Sequence, residues 1–354
     1  MDNAHCFFGG PDQPRGALRD LLAHRIAAVP AGGRIDWVTY YFRDRALAQE
    51  LIAASRRGVN VSCSLDAAPR HAGANDAVIA LLEQEPRLSL ALANRPGLWL
   101  RRLPNLRLHE KLYLFSHPRP HALLGSFNPS GDQPEADLLA QAAIGNHDVA
   151  FNLLVQLTGP QLLQALQGHA GALHARLLGQ RASRLPRSYS IIDDHSRNTL
   201  HLFPRLGRHP IDQLLSRLRG GDQIRICASH IKGRAVARLL LGALGRGAEV
   251  VIAAEASQRR SPGSLLQQLA SAGARVQRIV ADPECWIPMH CKFVLIDSGA
   301  ARTSVVGSFN WNQRSRWLNR ELALVSDSPT LYAALDARWH ELQRYAAALG
   351  PAVS

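Results

Sequence analysis

Lysine is nearly missing from this 354-residue chain, which holds three lysines against 38 arginines. Where a composition avoids lysine so thoroughly, each position that keeps one is a candidate for chemistry that arginine cannot do. A second absence is any apolar run of about 18 residues, which excludes a hydrophobic membrane-spanning helix. The start, Met1-Asp2-Asn3-Ala4-His5, lacks a basic segment followed by an apolar one, so no signal peptide is expected there. Cysteine is sparse as well: Cys6, Cys63, Cys227, Cys285 and Cys291 are scattered and form no Cys-x-x-Cys pair. That spacing excludes a disulfide framework and a zinc site, leaving isolated buried thiols as the expectation. Carboxylates are also in deficit, 28 against 41 basic residues, and the formal charge is +13. Such a balance suits an anionic partner, either nucleic acid or an anionic bilayer surface. The basic residues are spread along the sequence instead of forming blocks, so charge alone does not choose between them. The expectation is a cytoplasmic protein, peripheral to the inner membrane face where it meets lipid.

What is present is a duplication. Two of the three lysines follow a histidine at the same spacing, in His109-Glu110-Lys111 and His290-Cys291-Lys292. Roughly 0.1 such triplets would be expected by chance in a chain of this composition. Each is followed by the same tetrapeptide, Gly125-Ser126-Phe127-Asn128 and Gly307-Ser308-Phe309-Asn310, with a spacer one residue shorter in the first copy. The flanking order repeats too. Arg34 to Tyr41 alternates like a strand, a helix is predicted from about Ala46 to Arg57, and Gly58 introduces a second strand. The second half gives a strand over Asp222 to Ala228, a helix from about Ala235 to Leu244, and a strand after Gly247. Strand, helix, Arg-Gly, strand in the same order twice is a βαβ signal.

Beyond the motifs, Asn146 to Ala150 is matched with Asn319 to Ala323, each leading into an apolar strand and a proline-opened helix at Pro160 or Pro329. The chain therefore divides into a first half (1–178), a connector (179–208) with a short strand near Thr199 to Phe203, and a second half (209–354). With 46% hydrophobic residues, the fold class expected is α/β: two similar halves, each a mixed sheet flanked by helices. Leu108 to Phe115 alternates as a strand, which puts His109 and Lys111 on one face; His290 and Lys292 follow suit. Serine and asparagine two apart at a strand end, Ser126 with Asn128 and Ser308 with Asn310, present a hydroxyl and a carboxamide to the same side. Each half thus offers imidazole, ammonium, hydroxyl and amide to one small volume.

Two ammonium groups and two carboxamides are donors whose natural ligand is a phosphate with oxygens to satisfy. One neutral histidine can attack phosphorus; the other, protonated, can give its proton to the departing alkoxide. Asp148 and Glu321 are the carboxylates expected to orient the two imidazoles. No His/Cys/carboxylate set has metal-ligand spacing, so a reaction without cofactor or metal is expected.

These motifs resemble those of the phospholipase D superfamily, His-x-Lys-x4-Asp followed by Gly-Ser-x-Asn, present twice. The second copy matches it through Asp297; in the first, Ser116 stands where the aspartate would be. The stretch Asn310 to Glu321 is similar to bacterial cardiolipin synthases and related phosphatidyltransferases. The resemblance implies one active site at a pseudo-twofold interface, a phosphohistidine on His109 and His290 as the acid. It implies a phosphodiester substrate, first a phospholipid at a membrane surface. A nuclease and a non-catalytic phosphate-ester binder are the alternatives. Trp286, Trp311 and Trp317 are candidates to stack bases or line an acyl pocket. The stripe Leu331, Leu335, Trp339 and Leu342 is expected to pack on a sheet more readily than on a bilayer. Oligomeric state is not readable from the sequence.

Overall fold

A computed structural model describes residues 4–95, 106–131, 144–183, 186–192, 196–205, 209–279, 288–299 and 301–348. The first half contributes strands β1 (Ala4–Gly9), β2 (Arg34–Thr39), β3 (Asn60–Asp66), β4 (Ser89–Ala93), β5 (Leu112–Phe115), β6 (His121–Gly125) and β7 (Asn152–Leu157). Its helices are α1 (Ala17–Ala27), α2 (Arg45–Arg56), α3 (Asp76–Glu83) and α4 (Pro160–Leu177). Two strands follow, β8 (Ser188–Ile192) and β9 (Arg197–Leu202). The second half has α5 (Pro210–Arg217), β10 (Gln223–Ala228), α6 (Arg234–Gly245), β11 (Glu249–Glu255), α7 (Gly263–Ser271) and β12 (Arg275–Ile279). It closes with β13 (Lys292–Ser298), β14 (Ala301–Gly307), α8 (Gln313–Trp317), β15 (Leu322–Ser326) and α9 (Pro329–Ala348).

Helix boundaries follow local chemistry. Asp44 caps α2, its carboxylate accepting from Leu47 N at 2.9 Å. Pro160 opens α4 and Pro329 opens α9, as predicted for both halves. The two sheets repeat one topology: β7-β6-β5-β2-β3-β4 in the first matches β15-β14-β13-β10-β11-β12 in the second. In each, three strands run parallel through βα crossovers and the rest pair antiparallel. Strand β1 extends the first sheet, and the β8–β9 hairpin extends the second through β15. Much of the predicted connector is thus part of the second sheet, because Asn198, Leu200 and Leu202 alternate inward along β9.

Helices α1 to α3 cover one face of the first sheet, and α5 to α7 one face of the second. The other faces share a core with α4 and α9 between them. Leu331, Leu335, Trp339 and Leu342 of α9 are buried there against β1, β13 and β14, so the stripe serves the core and offers nothing to a bilayer. Burying each such side chain is worth about 1.5–3 kcal/mol. No helix of the described residues is long and apolar enough to cross a membrane.

Candidate active site

The histidines of the two His-x-Lys segments precede their strands, β5 from Leu112 and β13 from Lys292, and each is held by the opposite half. A strand over 108–115 was expected; β5 starts only at Leu112, because Leu108 instead bridges in parallel to Arg320. There His109 N donates to Arg320 O at 2.9 Å. The mirror arrangement links Met289 to Phe151, with His290 N donating to Phe151 O at 2.8 Å. Both imidazoles consequently line one cavity of about 640 Å³ together with Asn128 and Asn310.

Each imidazole is oriented through Nδ1 by a residue of the other half. His109 Nδ1 lies 2.8 Å from Glu321 Oε2, and His290 Nδ1 lies 2.9 Å from Asn152 Oδ1. An ionised carboxylate only accepts, so His109 must donate from Nδ1 and keep its lone pair on Nε2. Asn152 Nδ2 donates to His147 O at 3.1 Å, which fixes Oδ1 toward His290 and selects the same tautomer. Glu321 is fully buried and four-fold held: Oε2 also accepts from Ser308 Oγ at 2.5 Å, and Oε1 accepts from Ser315 Oγ at 2.7 Å and Asn319 Nδ2 at 3.1 Å.

Two expectations are corrected here. Asp148 bonds neither histidine; its carboxylate accepts from Ser130 N at 3.4 Å, and burial together with nearby Asp44 pushes it up to about 6. The counterpart of Glu321 is Asn152, four residues further on, as the two bridges to Arg320 and Phe151 require. The serine hydroxyls do not face the ligand volume either. Ser126 Oγ donates to Asn152 Oδ1 at 2.9 Å as Ser308 Oγ does to Glu321, and each accepts from the next backbone N–H, Leu153 or Leu322. A hydroxyl has one proton, and both are spent on the groups that aim the histidines. The glycine before each serine is dictated by close strand approach: a Cβ would sit 2.2 Å from Leu153 O at Gly125 and 2.1 Å from Leu322 O at Gly307, where φ is also +151°.

Lys111 and Lys292 lie buried beneath the histidines, each Nζ donating to the carbonyl of its own motif histidine at 2.8 Å. One donor of three is thereby used on each ammonium. Burial pulls Lys111 down to about 7 despite Glu321, and burial with Lys111 nearby pulls Lys292 down strongly. Burial likewise lowers His109 to about 4 against the pull of Glu321, and lowers His290 well below its usual range with Lys292 adding to it. Glu321 stays below the usual carboxylate range: burial opposes ionisation, but His109, Lys111 and the Ser308 bond outweigh it. Burial and mutual repulsion thus favour neutral imidazoles and reluctant cations here, a field that an anion relieves. Asn310 Oδ1 is buried and has no hydrogen-bond partner among the described residues; being an acceptor, it answers a ligand hydroxyl or amine, and only Nδ2 of this carboxamide can serve a phosphate oxygen.

Residues that sequence reasoning missed are Asn152, His147, His230 and the cavity's basic wall. His147 packs edge-on against His290 with ring centroids 4.3 Å apart. Asp297 instead pairs across the ladder with Arg302 at 3.5 Å, and Ser116 Oγ accepts from Arg34 N at 2.8 Å. Five residues past its lysine along a strand, about 16 Å away, neither can touch a phosphate. Trp311 is buried in the second half's core, Trp317 is exposed and neither lines the cavity; Trp286 lies outside the described residues.

A family model described as cardiolipin synthase, phospholipase D-like domain, matches residues 27–137 and 214–342. No curated protein matches the chain in sequence. Among solved structures, polyphosphate kinase from Porphyromonas gingivalis superposes with a TM-score of 0.60 at 14% identity, over 94% of this chain and 49% of that one. This chain thus spans about half the length of that kinase. Phosphatidylserine synthase from Haemophilus influenzae Rd KW20 gives a TM-score of 0.58 at 14% identity, over 97% of this chain and 86% of that one. At such identities the likeness is one of fold, a two-lobed α/β architecture.

Proposed function

The chain belongs to the cardiolipin synthase, phospholipase D-like domain family, and from that premise we propose that it is a metal-independent phosphodiesterase or phosphatidyltransferase acting through a phosphohistidine. The observation that carries the reading is the pair of imidazoles on one cavity, each held as the Nδ1–H tautomer by the other half. His109 Nε2 attacks phosphorus; the P–N bond forms while the P–O bond to the first alcohol breaks, and His290 gives that alkoxide its proton. In the second step His290 takes a proton from water or another alcohol, whose oxygen attacks phosphorus and releases His109. Glu321 favours His109 as nucleophile, because phosphorylation makes the ring cationic and a carboxylate stabilises it where the neutral Asn152 does not. His290 gains its proton as the anionic substrate arrives, since negative charge raises a depressed imidazole. Lys111, Lys292, Asn128 and Asn310 supply donors to the non-bridging oxygens.

The family favours a phospholipid substrate met at a membrane surface. The basic cavity wall favours, as a second reading, a nuclease. Turnover of a fluorescent phosphatidylglycerol in mixed micelles, beside labelled single- and double-stranded DNA and with EDTA throughout, decides between them. Chelator-resistant lipid turnover lost in both His109→Ala and His290→Ala is the expected result. Cleavage of DNA alone would replace it with the nuclease, and silence on both substrates from folded protein would leave a phosphate-ester binder.

A further inference from the structure

A second cavity, of about 550 Å³, lies behind the catalytic one and shares no lining residue with it. The segments joined at the Leu108–Arg320 bridge form the wall between the two. Arg107, His109 and Asn319 face the catalytic side, while Leu106, Glu110 and Arg320 from the same segments face the other. Its floor is apolar, made by Leu173 of α4 with Leu202 and Phe203 at the end of β9, all of them buried. The one carboxylate that lines it among the described residues is Glu110, itself buried, whose Oε2 lies 2.6 Å from His169 Nε2. Three guanidiniums line the same space. Arg176 and Arg187 are exposed and stand at its rim, and Arg320 is half-buried. Among the described residues the guanidiniums of Arg187 and Arg320 make no hydrogen bond or ion pair, and Arg176 spends one nitrogen on Ser183 O at 2.5 Å. Burial lowers Arg320, with Glu110 and Asp66 opposing it and Arg176 and Arg187 adding to it. Three guanidiniums against one carboxylate, already engaged by His169, leave an excess of positive charge above an apolar floor.

We infer that this second cavity binds an amphiphile with a phosphomonoester head, the head held by Arg176, Arg187 and Arg320 and the tail lying on Leu173, Leu202 and Phe203. Arginine forks take two oxygens of a phosphate or of a carboxylate alike. A phosphomonoester carries about −1.5 to −2 at neutral pH, which answers this excess better than a single carboxylate does. A wholly polar anion would leave the floor without a partner, whereas each methylene buried there strengthens binding about fourfold. The volume falls within the range of about 300–1,000 Å³ usual for small-molecule cavities. Occupancy of this site does not require turnover at the other.

Calorimetric titration with octyl phosphate, kept below its micelle-forming concentration, beside inorganic phosphate and octanoate tests the assignment. Octyl phosphate is expected to bind at least about tenfold more tightly than either. The Arg176→Gln, Arg187→Gln double variant should weaken it at least about tenfold at unchanged melting temperature. Arg187→Gln alone, which breaks no side-chain hydrogen bond among the described residues, should cost about threefold. Arg70→Gln, on the wall of the catalytic cavity, should change the affinity by less than about twofold. Octyl phosphate binding no more tightly than inorganic phosphate would overturn the apolar floor as a ligand surface. Octanoate matching octyl phosphate would overturn the phosphate head. Loss of affinity in Arg70→Gln but not in the double variant would overturn the second site and put the ligand in the catalytic cavity.

Discussion

Replacing Glu321 by glutamine tests the electrostatic half of its role while sparing the geometric half. The glutamine oxygen can take the place of Oε2 and go on accepting from His109 Nδ1 and Ser308 Oγ. Its amide then meets Ser315 Oγ, which can rotate to accept, and Asn319, whose carboxamide can flip. Tautomer and ring orientation persist, and only the negative charge beneath the imidazole is removed. A hydrogen bond to a charged group is worth about 1.5–3 kcal/mol against about 0.5–1.5 for a neutral one. Losing the compensation of a cationic phosphohistidine in a site this buried adds to the difference, for a total of about 1.5–3 kcal/mol. At 1.36 kcal/mol per decade, phosphorylation of His109 should slow about 10- to 100-fold. Rapid-quench single turnovers, stopped in alkali to preserve the adduct, read that step directly, with the melting temperature as a check on folding. The loss should fall on kcat with KM nearly unchanged. A rate within twofold of wild type, or a loss confined to KM, would refute the argument that the carboxylate stabilises a charge developing on His109.

The pH profile of kcat/KM reports the free enzyme. His109 must be neutral to attack, and with burial holding it at about 4 the rate falls only as pH drops through about 4. Two groups must be charged, His290 to act as the acid and Lys111 to bind phosphate; burial holds both down, His290 well below its usual range and Lys111 at about 7, so the rate falls as pH rises, and does so no later than through about 7. A plateau reaching pH 9 would contradict the second limb; in kcat that limb should move upward, because bound phosphate favours the ammonium. Gly307→Ala drives a methyl group into Leu322 O at 2.1 Å and into a backbone region that L-residues avoid, so destabilisation of about 3 kcal/mol or more is expected in urea unfolding. A loss under about 1 kcal/mol would show that β14 and β15 can separate at no cost.

Much of the site was legible because duplication supplies its own control. His109, Lys111, Asn128 and their partners at 290, 292 and 310 announce themselves by repetition, and the same repetition predicts both sheets and the helices between their parallel strands. What sequence reasoning missed was register. Asp148 was matched with Glu321 because both are carboxylates near an asparagine, yet the true mate is an amide, and similarity of side chains conceals it. A geometric signal was available: Asn152 and Glu321 each stand eight residues before the proline that opens the next helix, Pro160 or Pro329. The cavity's basic wall, which includes Arg70 and Arg259, was hidden for a different reason. Arg70 and Arg259 are 189 positions apart in the chain, and only the fold gathers charges that the sequence spreads thinly. The end of the strand predicted over 108–115 was lost to a partner, Arg320, that no local pattern names.

The crossed bridges of Leu108 to Arg320 and Met289 to Phe151 mean that neither half owns a finished histidine. Each lends the other the group that sets its imidazole's tautomer. In an assembly of two identical subunits that loan is obligatorily reciprocal, and whatever sits under one ring must sit under the other. Joining the halves in one chain dissolves the obligation. Glu321 and Asn152 record the outcome: one ring is backed by an anion and the other by an amide, an asymmetry that two identical subunits could not hold.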